Sequence, residues 1–100
     1  MKLYDTDVES LLILAKAYRE QGDYDSSYQR IQQASELDGS NEDVLATYAM
    51  ILVELQGAYA GDLYLQGLIT QMPGKLIFRR TRGEILMGEE KYEDAIDVFN

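Results

Sequence analysis

Ala15, Ala49 and Gly83 stand at equal intervals along the chain, and several sets of residues around them keep the same interval. Tyr18, Leu52 and Leu86 form a second set, Ser27, Gly61 and Ala95 a third, and Ile31, Leu65 and Phe99 a fourth; Gly39 and Pro73 fall at the same interval. A fixed period of this size, about 34 residues, marks a repeat array, in which each unit buries its apolar face only by stacking on a neighbour. Such a chain builds a stack that presents an extended surface. The functional question therefore moves from catalysis towards binding.

Each interval reads as a helical hairpin. In 8–21 the residues Val8, Leu11, Leu14, Ala15 and Tyr18 recur at helical spacing. Thr6 stands three residues before Glu9, a capping-box arrangement. Gly22 is a stop signal and Asp23 an N-cap for a second helix over Tyr24–Leu37, with Tyr24, Ser27, Tyr28, Ile31 and Ala34 on one face. Asp38-Gly39-Ser40-Asn41 is a turn. The second unit repeats the plan: a helix over Glu42–Leu55 with Val44, Leu45, Tyr48, Ala49 and Leu52 inside, a break at Gln56-Gly57, a helix over Tyr59–Met72, and a stop at Pro73-Gly74. Gly67 lies inside that last helix and weakens it by about 1 kcal/mol relative to alanine. The third unit starts at Leu76, is expected to turn near Gly88–Lys91 and to enter a last helix at Tyr92. Small residues at 15, 49 and 83 are expected to be buried where helices cross.

These residues resemble the tetratricopeptide repeat, W-x2-L-G-x2-Y…A-x3-F…P. The first unit supplies Leu11, Leu14, Ala15, Tyr18, Ser27, Ile31 and Gly39, and the second Leu45, Tyr48, Ala49, Leu52, Gly61, Leu65 and Pro73. The third supplies Arg79, Arg82, Gly83, Leu86, Ala95 and Phe99. The phrases QGDYDSS and EEKYEDA match the family's turn between helices; the missing Trp, Ser27 for alanine and Arg79 at a usually apolar position depart from it. The resemblance implies an all-α fold, a right-handed superhelical array of antiparallel helix hairpins. One domain covers 1–100, with repeats 8–41, 42–75 and an incomplete 76–100.

By the same resemblance the first helix of each unit lines a concave face. Off the buried stripes of those helices lie Glu9, Leu12, Lys16 and Arg19; then Asp43, Ala46, Thr47, Met50 and Val53; then Ile77, Arg80, Thr81, Glu84 and Met87. From these the candidate peptide groove is Leu12, Lys16, Arg19, Thr47, Met50, Val53, Ile77, Arg80, Glu84 and Met87. Leu12, Met50, Val53, Ile77 and Met87 would form an apolar floor, with methionine adaptable to irregular ligands. Lys16, Arg19 and Arg80 would be polar anchors. Chaperone-binding members of the family hold a terminal carboxylate with a Lys, Asn, Asn, Lys, Arg set. The matching positions here are Leu12, Lys16, Thr47, Ile77 and Thr81, none of which matches, so that ligand is not expected.

Composition excludes several chemistries. There is no cysteine and no histidine, which removes disulfides, Ser-His and Cys-His nucleophile systems and the usual zinc sites. No Gly-rich phosphate loop of the usual spacings occurs. Asp5, Asp7 and Glu9 alternate as at the start of a calcium loop, but Ser10 stands where glycine is needed and Lys16 where the bidentate glutamate is needed. A net charge of −9 argues against nucleic acid as the partner. No apolar run is long enough to span a bilayer. No basic residue lies between Arg30 and Lys75, after which Lys75, Arg79, Arg80 and Arg82 come close together. They are either a solvated helix start with internal ion pairs or an anion-binding point beside the groove. Of the eight tyrosines, Tyr4, Tyr59 and Tyr64 are not at packing positions of the family.

The expected function is a protein–protein interaction module that binds a peptide or protein segment in its groove, without catalytic residues, cofactor or metal. Two alternatives stand beside it. NEDVLATYAMIL and the later GEEKYEDAI are similar to the periplasmic repeat domain of bacterial c-type cytochrome maturation factors, which implies holding apocytochrome segments. A self-assembling structural segment is the other, because Ala95, Ile96 and Phe99 call for cover, from a second copy or from a longer parent array. The sequence leaves the compartment open: cytoplasmic or, if the chain belongs to a longer exported protein, periplasmic.

Overall fold

The structure is a computed structural model that describes the backbone of residues 7–99 and the side chains of residues 7–87. The described residues are all-helical, with no strand among them. Helix α1 spans Val8–Glu20, α2 Tyr24–Leu37, α3 Glu42–Gln56, α4 Ala58–Gln71 and α5 Leu76–Phe99. The starts of α1, α3 and α5 are evenly spaced, and α4 starts the same distance after α2. The interval in the sequence is thus an interval between helix starts.

Local chemistry sets these boundaries. Asp7, Asp23 and Asn41 cap α1, α2 and α3, accepting from the backbone N–H of Glu9 at 3.2 Å, Ser26 at 3.2 Å and Val44 at 3.1 Å. The first cap is Asp7, not the Thr6 of the expected capping box, and Thr6 lies outside the described residues. Gly22 ends the α1 turn at φ +85°, and Gly57 alone joins α3 to α4 at φ +103°. Both have open space around them, so the positive φ is what calls for glycine.

The short connections fold α1 back on α2 and α3 back on α4, and α2 packs on α3 and α4 on α5. The odd helices also touch, α1 with α3 and α3 with α5, whereas α2 and α4 do not. Closing up the odd helices and spreading the even ones bends the layer, with its hollow on the side of α1, α3 and α5. Two apolar clusters fill the seams. Leu11, Ala15, Ile31 and Ala34 of the first hairpin take in Val44 and Ile51 of α3. Leu45, Ala49, Leu65 and Leu68 of the second take in Phe78 and Ile85 of α5.

Small residues hold each hairpin close. The Ser27 hydroxyl donates to the Ala15 carbonyl at 2.6 Å. At the equivalent crossing in the second hairpin, a Cβ on Gly61 would sit 2.9 Å from the Ala49 carbonyl and collide with Val53. The junction between hairpins shows a second equivalence. The Tyr28 and Tyr48 hydroxyls meet at 3.1 Å across the first junction. Asp62 and Arg82, their repeat equivalents, form an ion pair across the second. The Arg82 guanidinium, hydrogen-bonded to Asp62, holds that carboxyl below the usual carboxylate range against the opposing effect of burial; Gln66 adds a bond at 2.8 Å. Tyr48 also stacks on Tyr64 with ring centroids 5.1 Å apart. Burial and then the bond to Tyr28 push the Tyr48 hydroxyl up to about 12, and burial raises that of Tyr64.

The third unit differs from its expected form. Helix α5 runs without interruption to Phe99, so no turn forms at Gly88–Lys91. Gly83 is exposed, and a Cβ there would meet nothing within 4 Å. Ala15 and Ala49 are buried because α2 and α4 return across them, and among the described residues no helix returns across Gly83. Arg79 and Leu86 are exposed for the same reason. The expectations for the side chains of Tyr92–Phe99 lie outside the described residues.

Gly67 lies within α4, exposed, with open space where a Cβ would go. Gly67→Ala is expected to stabilise the fold by about 1 kcal/mol, raising the melting temperature by roughly 4–8 °C. A thermal melt followed by circular dichroism checks this; a lower midpoint would mean that this turn of α4 is not regular helix.

Candidate functional site

The hollow of the bent layer holds a cavity of about 340 Å³. Its floor comes from Ala46, Thr47 and Met50 of α3 and Ile77 and Thr81 of α5. Ala46, Thr47 and Thr81 are short and buried, which leaves the depth that Met50 and Ile77 border. The Thr81 hydroxyl donates to the Ile77 carbonyl at 2.8 Å, a bond within its own helix. The rim is charged: Lys16, Arg19 and Glu20 from α1, Asp43 from α3 and Glu84 from α5. Lys16, Met50 and Glu84 are repeat equivalents, so one row across three helices runs cation, thioether, carboxylate. An Arg19 Nη lies 3.7 Å from Glu54, and its Nε is buried without a hydrogen-bond partner among the described residues.

Six of the ten residues of the candidate peptide groove border this cavity: Lys16, Arg19, Thr47, Met50, Ile77 and Glu84. The other four do not. Leu12 packs, partly buried, on the first apolar cluster, and Val53 packs on the second beside Gly61. Arg80 is exposed and off the cavity, and Met87 is 70% exposed and off it too. Only α3 has an odd helix on both sides. Residues of α1 and α5 reach the cavity where they face α3, so Ala46 lines it while its equivalents Leu12 and Arg80 do not. Asp43, Ala46 and Thr81 come from the wider set off the stripes. Sequence reasoning missed Glu20; its place one helical turn beyond Lys16 was the available signal.

The basic run does not gather at the groove. The Arg79 guanidinium donates to the Pro73 carbonyl, Arg82 to Asp62, and Lys75 lies 3.0 Å from Glu42. The first bond ties α5 to the turn that precedes it and the second ties it to α4. These are structural uses of the cations, as a helix start with internal pairing requires. Tyr59 is exposed, and Tyr64 belongs to the stack with Tyr48; Tyr4 lies outside the described residues.

A hollow of this volume is at the small end for a ligand pocket, which runs about 300–1,000 Å³. Its floor mixes Ala46, Met50 and Ile77 with two threonines, and its rims carry both signs of charge. Among the described residues no group of acidic side chains could hold a metal ion, and no helix is long and apolar enough to cross a membrane. No family model, no curated protein and no solved structure matches this chain.

Proposed function

We propose that this chain is an interaction module of the tetratricopeptide-repeat type, which holds a peptide or protein segment in the hollow of α1, α3 and α5. The observation that carries this reading is convergence. Residues from three helices, spaced by the repeat and chosen only for lying off the buried stripes, line one concavity. The constant interval between helix starts and the contacts among odd helices support the array that the reading needs.

Peptides selected from a random display library on the wild-type protein test it. Met50→Glu is expected to weaken the selected peptides at least tenfold, about 1.4 kcal/mol, by placing a charge at the centre of the floor. Met50 is only partly buried and keeps contact with the second cluster, so a second variant guards against loss of fold. Lys16→Glu changes an exposed rim residue and should leave the melt unchanged while altering which peptides bind. Equal binding by both folded variants would remove the groove assignment.

A further inference from the structure

We propose that the exposed face of α5 around Gly83 is a seat for residues 92–99 of a second copy of this chain, so that two copies exchange the second half of a third hairpin. This surface is separate from the groove and does not rest on its function. A second cavity of about 330 Å³ marks the seat, lined by Ile69 of α4 and by Arg79, Arg82, Gly83 and Leu86 of α5. Leu86 is 39% exposed there.

The two complete hairpins say what belongs on it. Ala15 lies against Ser27, and Leu11 and Ile31 share one cluster. Ala49 lies against Gly61, and Leu45 and Leu65 share the other. Moving the second set on by one repeat pairs Gly83 with Ala95 and Arg79 with Phe99. The sequence therefore supplies a small residue for the crossing at Gly83. It also supplies an aromatic at the position of Ile31 and Leu65, both fully buried.

The chain's own segment does not reach this seat in the structure. Helix α5 is continuous to Phe99, which puts Ala95 about 18 Å further along the same axis than Gly83. A second copy laid antiparallel does reach it. If Gly83 meets Ala95 of the other copy, Ala95 meets Gly83 of that copy, and the contact closes on itself about a two-fold axis near residue 89. Both seats are then filled by one symmetric pairing.

The absence of cysteine makes the test clean. Gly83→Cys and Ala95→Cys are made in separate proteins, mixed and oxidised. A disulfide-linked dimer in the mixture but in neither variant alone is expected. Gly83 is open, so the first substitution fits without strain. Sedimentation of the wild type should show a mass rising with concentration from 11.4 kDa to twice that value. Gly83→Leu, which fills the seat, should hold the mass at the lower value. Absence of the mixed disulfide overturns the proposal, and an internal disulfide in the double variant would show that the chain fills its own seat. A wild type that stays at 11.4 kDa throughout overturns it as well.

Discussion

Phe78→Ala should destabilise this protein by about 3–5 kcal/mol. Phe78 is fully buried and the largest such side chain among the described residues. It stands in the first turn of α5 and joins the cluster formed by Leu45, Ala49, Leu65 and Leu68. Truncation removes the ring and leaves a cavity between three helices that are each held by their own hydrogen bonds and cannot fully close it. A domain of this size has about 5–15 kcal/mol in total, so the loss is a large share, worth roughly 12 °C or more in melting temperature. Stability in an array is nearest-neighbour in character. The loss should therefore fall first on the docking of α5 and broaden the transition. Met87→Ala, at a site 70% exposed, should stay within about 0.5 kcal/mol of the wild type. A Phe78→Ala protein that melts like the wild type would mean that α5 is not docked on α3 and α4.

Phe78 is not among the residues that the repeat pattern puts inside, and the reason is physical. The interval identifies which residues are equivalent, but not which neighbours each copy has. A first helix within the array has two buried faces. On α3, Leu45 and Ala49 meet the hairpin partner, while Val44 and Ile51 meet the preceding hairpin. Helix α1 uses only the hairpin face, with Leu11 and Ala15 buried; Ser10 and Ala17 stand at the equivalents of Val44 and Ile51. Helix α5 uses only the other face, with Phe78 and Ile85 buried and Arg79, Gly83 and Leu86 left outside. The stripe carried over from α3 is correct for α1 and on the wrong side for α5. The boundaries at Asp23, Asn41 and Gly57 were legible because they depend on local residues, whereas the cap of α1 fell one residue later than expected and no separate helix begins at Tyr92. The lining of the cavity was legible where α3 supplies it and at the residues of α1 and α5 that face α3. The junction equivalence was not: a tyrosine pair and an Asp–Arg pair share a position but no chemistry, so self-similarity of sequence passes over them.

The two positions that share a register and differ in neighbours should respond to enlargement with opposite signs. Ala49 is fully buried, and its carbonyl closes the space where Gly61 comes nearest. Ala49→Leu adds three carbons where α4 already needs a glycine to pass. The helices must separate or the side chain must leave its rotamer wells, at about 1–3 kcal/mol. That lowers the melting temperature by roughly 4–24 °C. At Gly83, the equivalent position in the next unit, a Cβ meets nothing within 4 Å. Gly83→Ala therefore gains the helix propensity of alanine, about 1 kcal/mol, with no packing cost. It also restores the residue found at positions 15 and 49, so it leaves room for any helix that crosses there as α2 and α4 do. Thermal melts of the two variants beside the wild type decide the matter. A loss at Gly83 as well would mean that this turn of α5 is not regular helix; no loss at Ala49 would show that the α3–α4 crossing, and with it the repeat register, is wrongly placed.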